Sequence, residues 1–222
     1  MSEEIKRLLD RIEALENRVD LGEDREAIRR LQYMYGFYLD NRMWNEVADL
    51  FADSGASIEI GRRGNYQGKE RIRRFLNEVL GQGRWGLDKN EFINHIQMQM
   101  VITVEPDRRR ARARSRAIVQ GNSPALDTNT TMLWAEGLYE NRYIREDGVW
   151  KIERLWWVQT FYVHVPGFAT ALFQSGPASE SFPPDQPSVR KDEALGRIFP
   201  DWHYLPDNRR ADSGVTDNEK IT

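Results

Sequence analysis

The chain has 222 residues, 32 Lys and Arg against 35 Asp and Glu, and a formal net charge of −3. That near balance argues against a general nucleic-acid binder. The absence of cysteine excludes disulfides, thiolate nucleophiles and Cys-ligated metal centres, and fits a reducing cytoplasm, the expected location. No apolar run approaches the roughly 20 residues that cross a bilayer, and the charged start does not read as a signal peptide, so no membrane partner is expected.

The length suits one globular domain with appendages. Residues 2–20 carry Ile5, Leu8, Ile12, Leu15 and Val19 at heptad positions with charged residues between them, a coiled-coil seam. At about two and a half heptads it is marginal as an isolated helix, so the expectation is contact with a partner protomer in a homo-oligomer, a dimer or trimer, or docking on the chain's own body. Gly22 is expected to end this helix, and a second to begin near Asp24. Its apolar stripe, Ile28, Leu31, Tyr35 and Tyr38 or Leu39, leads to Asp40 at the helix end. There the macrodipole disfavours an anion and a proton or cation is welcome. Gly36, one turn back, costs about 1 kcal/mol of helix propensity relative to Ala, which points to a packing or cavity requirement. Asn41 is placed to cap the next helix, with Trp44, Val47, Leu50 and Phe51 inward.

A short strand over 56–60, a basic glycine-rich connection and a third helix over 69–80 follow, the last with Ile72, Phe75, Leu76, Val79 and Leu80 inward. The loop carrying Trp85 reads as a mobile flap or an ordinary surface loop. From residue 92 the period changes to two. Strands over 92–104, 110–120, 131–145 and 149–165, with turns at Pro106-Asp107 and Asp147-Gly148, make antiparallel hairpins. Helices first and a long meander afterwards define an α+β domain with helices on one face of a curved sheet. Beyond residue 174 the composition turns polar, an extended or partly disordered tail. Its apolar island at 198–205 could dock over a pocket mouth or on a neighbouring subunit.

Three histidines are available. Alternation puts His95 on a face with Ile93, Gln97 and Gln99, and Ile96, Met98, Met100, Ile102 and Val104 on the other; whether the His95 face lines a pocket or meets solvent stays open. If it faces the helices, Asp40 can hold its ring, and such a pair moves protons near neutral pH. His164 reads as structural or as a pocket-rim group, and His203 as non-catalytic. In the basic run 108–116 most arginines form a solvated face. Arg116, deepest in the strand, is the one expected to be buried, where it would bind a carboxylate or oxyanion. Tyr139 and Asn141 share a face and, if buried, need partners, so they could orient a hydroxylated ligand. Trp150 and Trp157 read as core.

Taken in order, several strings resemble the SnoaL-like and scytalone-dehydratase-like branch of the nuclear-transport-factor-two superfamily. They are Tyr-Leu-Asp40 followed by Arg-Met-Trp-Asn-Glu-Val-Ala-Asp-Leu-Phe, the Gly-x-Tyr-x-Gly-Lys-Glu-x-Ile string at 64–72, His95 opening a long strand, and Asp-Gly-Val-Trp-Lys-Ile at 147–152. The resemblance, over roughly residues 24–165, implies a cone of curved antiparallel sheet (an α+β barrel) packed on three helices. With the heptad helix and the polar tail, the chain divides into an extra amino-terminal helix over 1–22, the cone domain over 23–173 and the tail over 174–222. It implies an apolar interior pocket and, commonly, catalysis without cofactor or metal. Asp40 matches the residue that orients a catalytic histidine, and His95 that histidine. A second pocket histidine falls near Arg116, a tyrosine at Ile60, and a serine and asparagine at Gly137 and Tyr139.

The expectation is a cofactor-independent lyase that eliminates water or formaldehyde from an aromatic or polycyclic hydroxylated small molecule. His95, Asp40 and Arg116 would be its catalytic groups and Tyr35, Trp44, Tyr139, Asn141, Trp156 and Phe168 its substrate contacts. The competing readings are an isomerase or cyclase, an epoxide hydrolase, or a non-catalytic small-molecule-binding module.

Overall fold

The computed structural model describes residues 2–87, 91–122, 131–166 and 179–186. Phe168, the 198–205 island and most of the tail lie outside them. The first helix, α1, runs Glu3–Asp40 as one piece, so the break expected at Gly22 does not occur. One glycine costs a helix only about 1 kcal/mol, and both flanking acids, Asp20 and Asp24, are held by Arg108 from the turn between the strands Phe92–Val104 and Arg110–Asn122. The two halves of α1 differ. Ile5, Leu8, Ile12, Leu15 and Val19 are each about half exposed, whereas Ile28, Leu31, Tyr35, Tyr38 and Leu39 are buried.

The helix closes on a left-handed residue. Arg42 N–H donates to Leu39 O (3.1 Å) and Met43 N–H to Tyr38 O (2.9 Å), with Arg42 at φ +53°; this is the Schellman pattern, in which that position is usually glycine. Asn41 does not cap the next helix as expected. Its Nδ2 donates back to Phe37 O at 2.9 Å, finishing α1, and α2 (Trp44–Asp49) starts without a side-chain cap.

After β1 (Ser57–Ile60) a 3₁₀ turn, Gly61–Arg63, leads to the short β2 (Asn65–Gln67). Then α3 (Lys69–Arg74) widens into a π-helical turn over Phe75–Leu80. Val79, expected inward, is about half exposed. The long strands are β3 (Phe92–Val104), β4 (Arg110–Asn122), β5 (Thr131–Glu146) and β6 (Val149–Pro166). Together they form a six-stranded sheet in the order β2-β1-β6-β5-β4-β3. All pairs are antiparallel except β1 with β6, which is parallel. Asp147 and Gly148 both have positive φ, the two-residue turn that matches strand twist.

On β4 the inward positions Ala111, Ala113, Ser115, Ala117 and Val119 are buried. These small groups share one core with Tyr35, Tyr38, Tyr143 and Phe51, the alternation of volumes that dense packing requires. On β3 strict alternation fails. The register slips between Met98 and Val101 where Gln99 takes φ +51°, a bulge that reverses sidedness. Ile93, His95 and Gln97 face inward before it; Met100, Ile102 and Val104 pack on the core after it, not on the opposite face from His95 as simple alternation required.

Candidate functional site

The carboxylate of Asp40, the last residue of α1, meets the first turns of β3. Both the His95 backbone N–H and its ring Nδ1 lie 2.7 Å from Asp40 Oδ1. An ionised carboxylate only accepts, so it fixes Nδ1 as the donor and leaves Nε2 as the free basic nitrogen. Burial raises the Asp40 carboxyl above its ordinary value, and the bonds from His95 offset only part of that. Gly36 is what lets the helix come this close. A Cβ there would sit 3.3 Å from His95 O and 3.4 Å from Gln97 Cγ, so the requirement is packing against β3.

A relay of amides supports the strand. Gln97 Nε2 donates to His95 O (3.2 Å), Gln32 Nε2 to Gln97 Oε1 (3.0 Å), and Asn141 Nδ2 and Tyr143 Oη donate to Gln32 Oε1 (2.9 and 2.8 Å). His95 therefore rests on a backbone whose carbonyl is tied through α1 to β5.

His95 opens onto a cavity of about 200 Å³. Its walls include Leu39, Ile93, Val119 and Leu133, with Tyr35, Tyr139, Trp44 and Trp157 around them and Arg42 and Arg63 as its cations. Tyr35 and Tyr139 meet edge to face, centroids 5.9 Å apart. Burial pushes both phenols up, Tyr35 well above its ordinary value, so both stay protonated as donors at neutral pH. Tyr35 Oη and Trp157 Nε1 are buried with no hydrogen-bond partner among the described residues. Trp44 donates from Nε1 to Arg84 O at 2.7 Å. The close packing of its ring depends on Gly81, where a Cβ would fall 2.4 Å from that nitrogen.

Tyr35, Trp44, Tyr139 and His95 thus meet at one cavity, with Asp40 directly behind the histidine. Three expected members do not join them. Arg116 lies on the outer face with Arg110, Arg112 and Arg114, because the odd positions of β4 point inward; its side chain is 44% exposed and ion-paired to Glu136. Val119, directly opposite His95 in register, is the β4 residue that lines the cavity. Trp156 also faces out, with the Arg154 guanidinium 4.7 Å over its ring. A register slip between Arg142 and Tyr143 on β5 and their β6 partners Arg154 and Ile152 shifts the parity and brings Trp157 inward. Asn141 is buried but structural, its Oδ1 accepting from Trp156 N–H at 3.1 Å. Of the other expected positions, Ile60 lines the cavity, whereas His164 is exposed and packs edge-on against Tyr162.

Arg42, Trp157 and Leu133 were missed. Arg42 had one visible signal, its position two residues after Asp40; the parity shift that places Trp157 has none in the sequence. Among the described residues no helix is long and apolar enough to cross a membrane. Nor does any group of three or more His, Cys, Asp or Glu among them have metal-holding geometry.

Comparison with curated proteins finds no match. Solved structures do match. A type 2 hexachlorocyclohexane dehydrochlorinase, LinA, is 21% identical with a TM-score of 0.59 over 70% of this chain and 97% of that one. A LinA-type3 enzyme from Novosphingobium barchaimii LL02 is 19% identical, TM-score 0.56, over 72% and 99%. A protein provisionally assigned as a scytalone dehydratase, from Novosphingobium aromaticivorans, is 19% identical, TM-score 0.52, over 71% and 97%. At these identities the likeness establishes the fold and leaves the chemistry to this chain's own residues. The model of the SnoaL-like domain matches residues 22–155, and the chain belongs to that family, within the nuclear-transport-factor-two-like superfamily.

Proposed function

We propose that the chain is a cofactor-independent lyase that eliminates a small fragment, water or formaldehyde, from a hydroxylated aromatic molecule. The observation that carries this reading is the 2.7 Å contact between Asp40 Oδ1 and His95 Nδ1 at the wall of an apolar cavity. For loss of water, Nε2 of His95 takes a proton from a substrate carbon and gives it to the departing hydroxyl. For loss of formaldehyde it takes the hydroxymethyl O–H proton as the C–C bond breaks and returns it to the carbon left behind. In both cases Asp40 holds the ring and stabilises the imidazolium formed in between. Tyr139 and Tyr35, held protonated, donate to an oxygen that gains charge. A cavity of about 200 Å³ suits one substituted ring better than a fused polycycle, since a roughly 150 Å³ cavity accepts benzene. A purely binding module has no need of a carboxylate held at hydrogen-bond distance behind a pocket histidine.

The test is a screen of aromatic diols for loss of water or formaldehyde, followed by His95→Ala and Asp40→Asn on the active compound. Turnover that survives both substitutions would sink the dyad assignment.

We further infer that the chain self-associates through the free half of α1. Ile5, Ile12 and Val19 at a with Leu8 and Leu15 at d favour two parallel strands. In that arrangement Arg11 faces Glu16 of the partner subunit and Arg18 faces Glu23 of the partner subunit, and both contacts are complementary. Removing residues 1–19 should lower the solution mass measured by light scattering and leave turnover per chain unchanged; an unaltered mass rejects the seam.

A further inference from the structure

The cavity's charges are one-sided. Arg42 and Arg63 line it, and no aspartate or glutamate does among the described residues. The two arginines differ in how they are used. Arg42 is buried and bonded to Glu91, itself fully buried and also reached by Arg84 at 3.4 Å. Its charge is thereby compensated inside the fold, although its Nε remains without a partner. Arg63 ends the 3₁₀ turn between β1 and β2, is exposed at the mouth, and has no carboxylate or other hydrogen-bonding partner among the described residues.

Long-range attraction does not explain this arrangement. The whole chain carries a net charge of −3, so its overall field disfavours an approaching anion, and any preference for one has to be local. An anion entering an apolar cavity loses hydration and needs a fixed cation to offset the loss. A guanidinium with all its donors available supplies that in bidentate form to a carboxylate. The backbone at Arg42 supports a functional need for cations here. A non-glycine residue in the left-handed region costs on the order of 1 kcal/mol, and the fold keeps an arginine there against the cavity.

We propose that the cavity selects a ring bearing a carboxylate or an ionised phenol, with Arg63 at the mouth as the residue that meets the charge. The inference rests on the aromatic-pocket reading above, but does not require that elimination occur. Arg63 is a specificity-determining residue in this assignment, and the compensated Arg42–Glu91 pair beside it is part of the frame of the cavity and supplies no net charge.

The experiment titrates the full chain with benzoate and with benzamide, which matches it in shape and lacks the charge, following heat by calorimetry or the change in total tryptophan fluorescence, to which the cavity residues Trp44 and Trp157 contribute. Benzoate should bind about fivefold more tightly, a preference that shrinks as salt is raised. Arg63→Gln should remove the preference, and Arg63→Lys should restore part of it. The readout is binding of compounds that undergo no elimination, which separates this proposal from the elimination chemistry. Equal affinity for the two probes, no response to benzoate, or a preference that survives Arg63→Gln overturns it.

Discussion

Two carboxylates on the buried half of α1 have opposite fates. Asp24 is met by Arg108 Nε at 2.5 Å, Trp150 Nε1 at 3.0 Å and Arg145 Nη1 at 3.3 Å. Burial works to raise it, yet the hydrogen bonds from Arg108 and Trp150 and the charges of Arg108 and Arg145 outweigh burial and hold it below its ordinary value. Among the described residues Asp40 is met only by His95, and burial wins. Desolvation acts on both. What differs is the partner: two permanent guanidinium charges against a ring that is cationic only when protonated. A fully compensated carboxylate locks sheet to helix; an undercompensated one beside a cavity is free to take part in proton transfer.

The largest effect expected from this contrast is on turnover. His95→Ala or Asp40→Asn should cost about 10²- to 10⁴-fold in kcat/KM, whereas Asp24→Asn should leave kcat/KM within a few-fold for the protein that remains folded. The order reverses for stability. Asp24→Asn keeps an acceptor for Trp150 N–H but leaves the Arg108 and Arg145 guanidinium groups undercompensated, and should lower the urea unfolding free energy by about 3 kcal/mol. Asp40→Asn, which keeps an acceptor for His95 N–H, should be far milder.

Acidity sharpens the same contrast. Folded Asp40 holds its proton to higher pH than unfolded Asp40, so its contribution is fully present below the ordinary carboxylate range and lost as pH rises through the raised folded value. Asp24 contributes above the ordinary range and loses that as pH falls through its lowered value. Urea midpoints across pH should therefore show a smaller acid-side fall in Asp24→Asn, where Asp53 still contributes one, and a smaller fall toward neutrality in Asp40→Asn. The smallest effect belongs to Arg116→Met, with its partly exposed outer-face ion pair. It should change stability by under about 1 kcal/mol and leave kcat/KM unaltered.

Much of the fold was legible because its signals are periodic. The bounds of β3 and the Asp147-Gly148 turn follow from alternation and turn chemistry alone, whereas the pairing of Asp40 with His95 follows only on the condition that His95 faces the helices, which alternation leaves open and the family resemblance alone supplies. The misreadings occur where one residue shifts a frame. Arg116 was assigned by depth in its strand, although parity decides sidedness, and Ala117 and Val119 already mark the odd positions of β4 as the buried ones. Trp156 and Trp157 exchange roles through a bulge that leaves no compositional mark, since any two adjacent tryptophans read alike. Gly22 was given more weight than a single glycine carries in a helix held from the side by Arg108.

The bulge at Gln99 has a consequence for how this chain can change over time. It divides β3 into two stretches that answer to different requirements: one presents His95 and Gln97 to the site, the other presents Met100, Ile102 and Val104 to the core. A slip of one residue absorbed at the bulge would re-aim the first stretch without disturbing the second. Such a strand can vary its chemistry at one end while its scaffold at the other is inherited unchanged, the kind of separation that lets one architecture acquire new substrates.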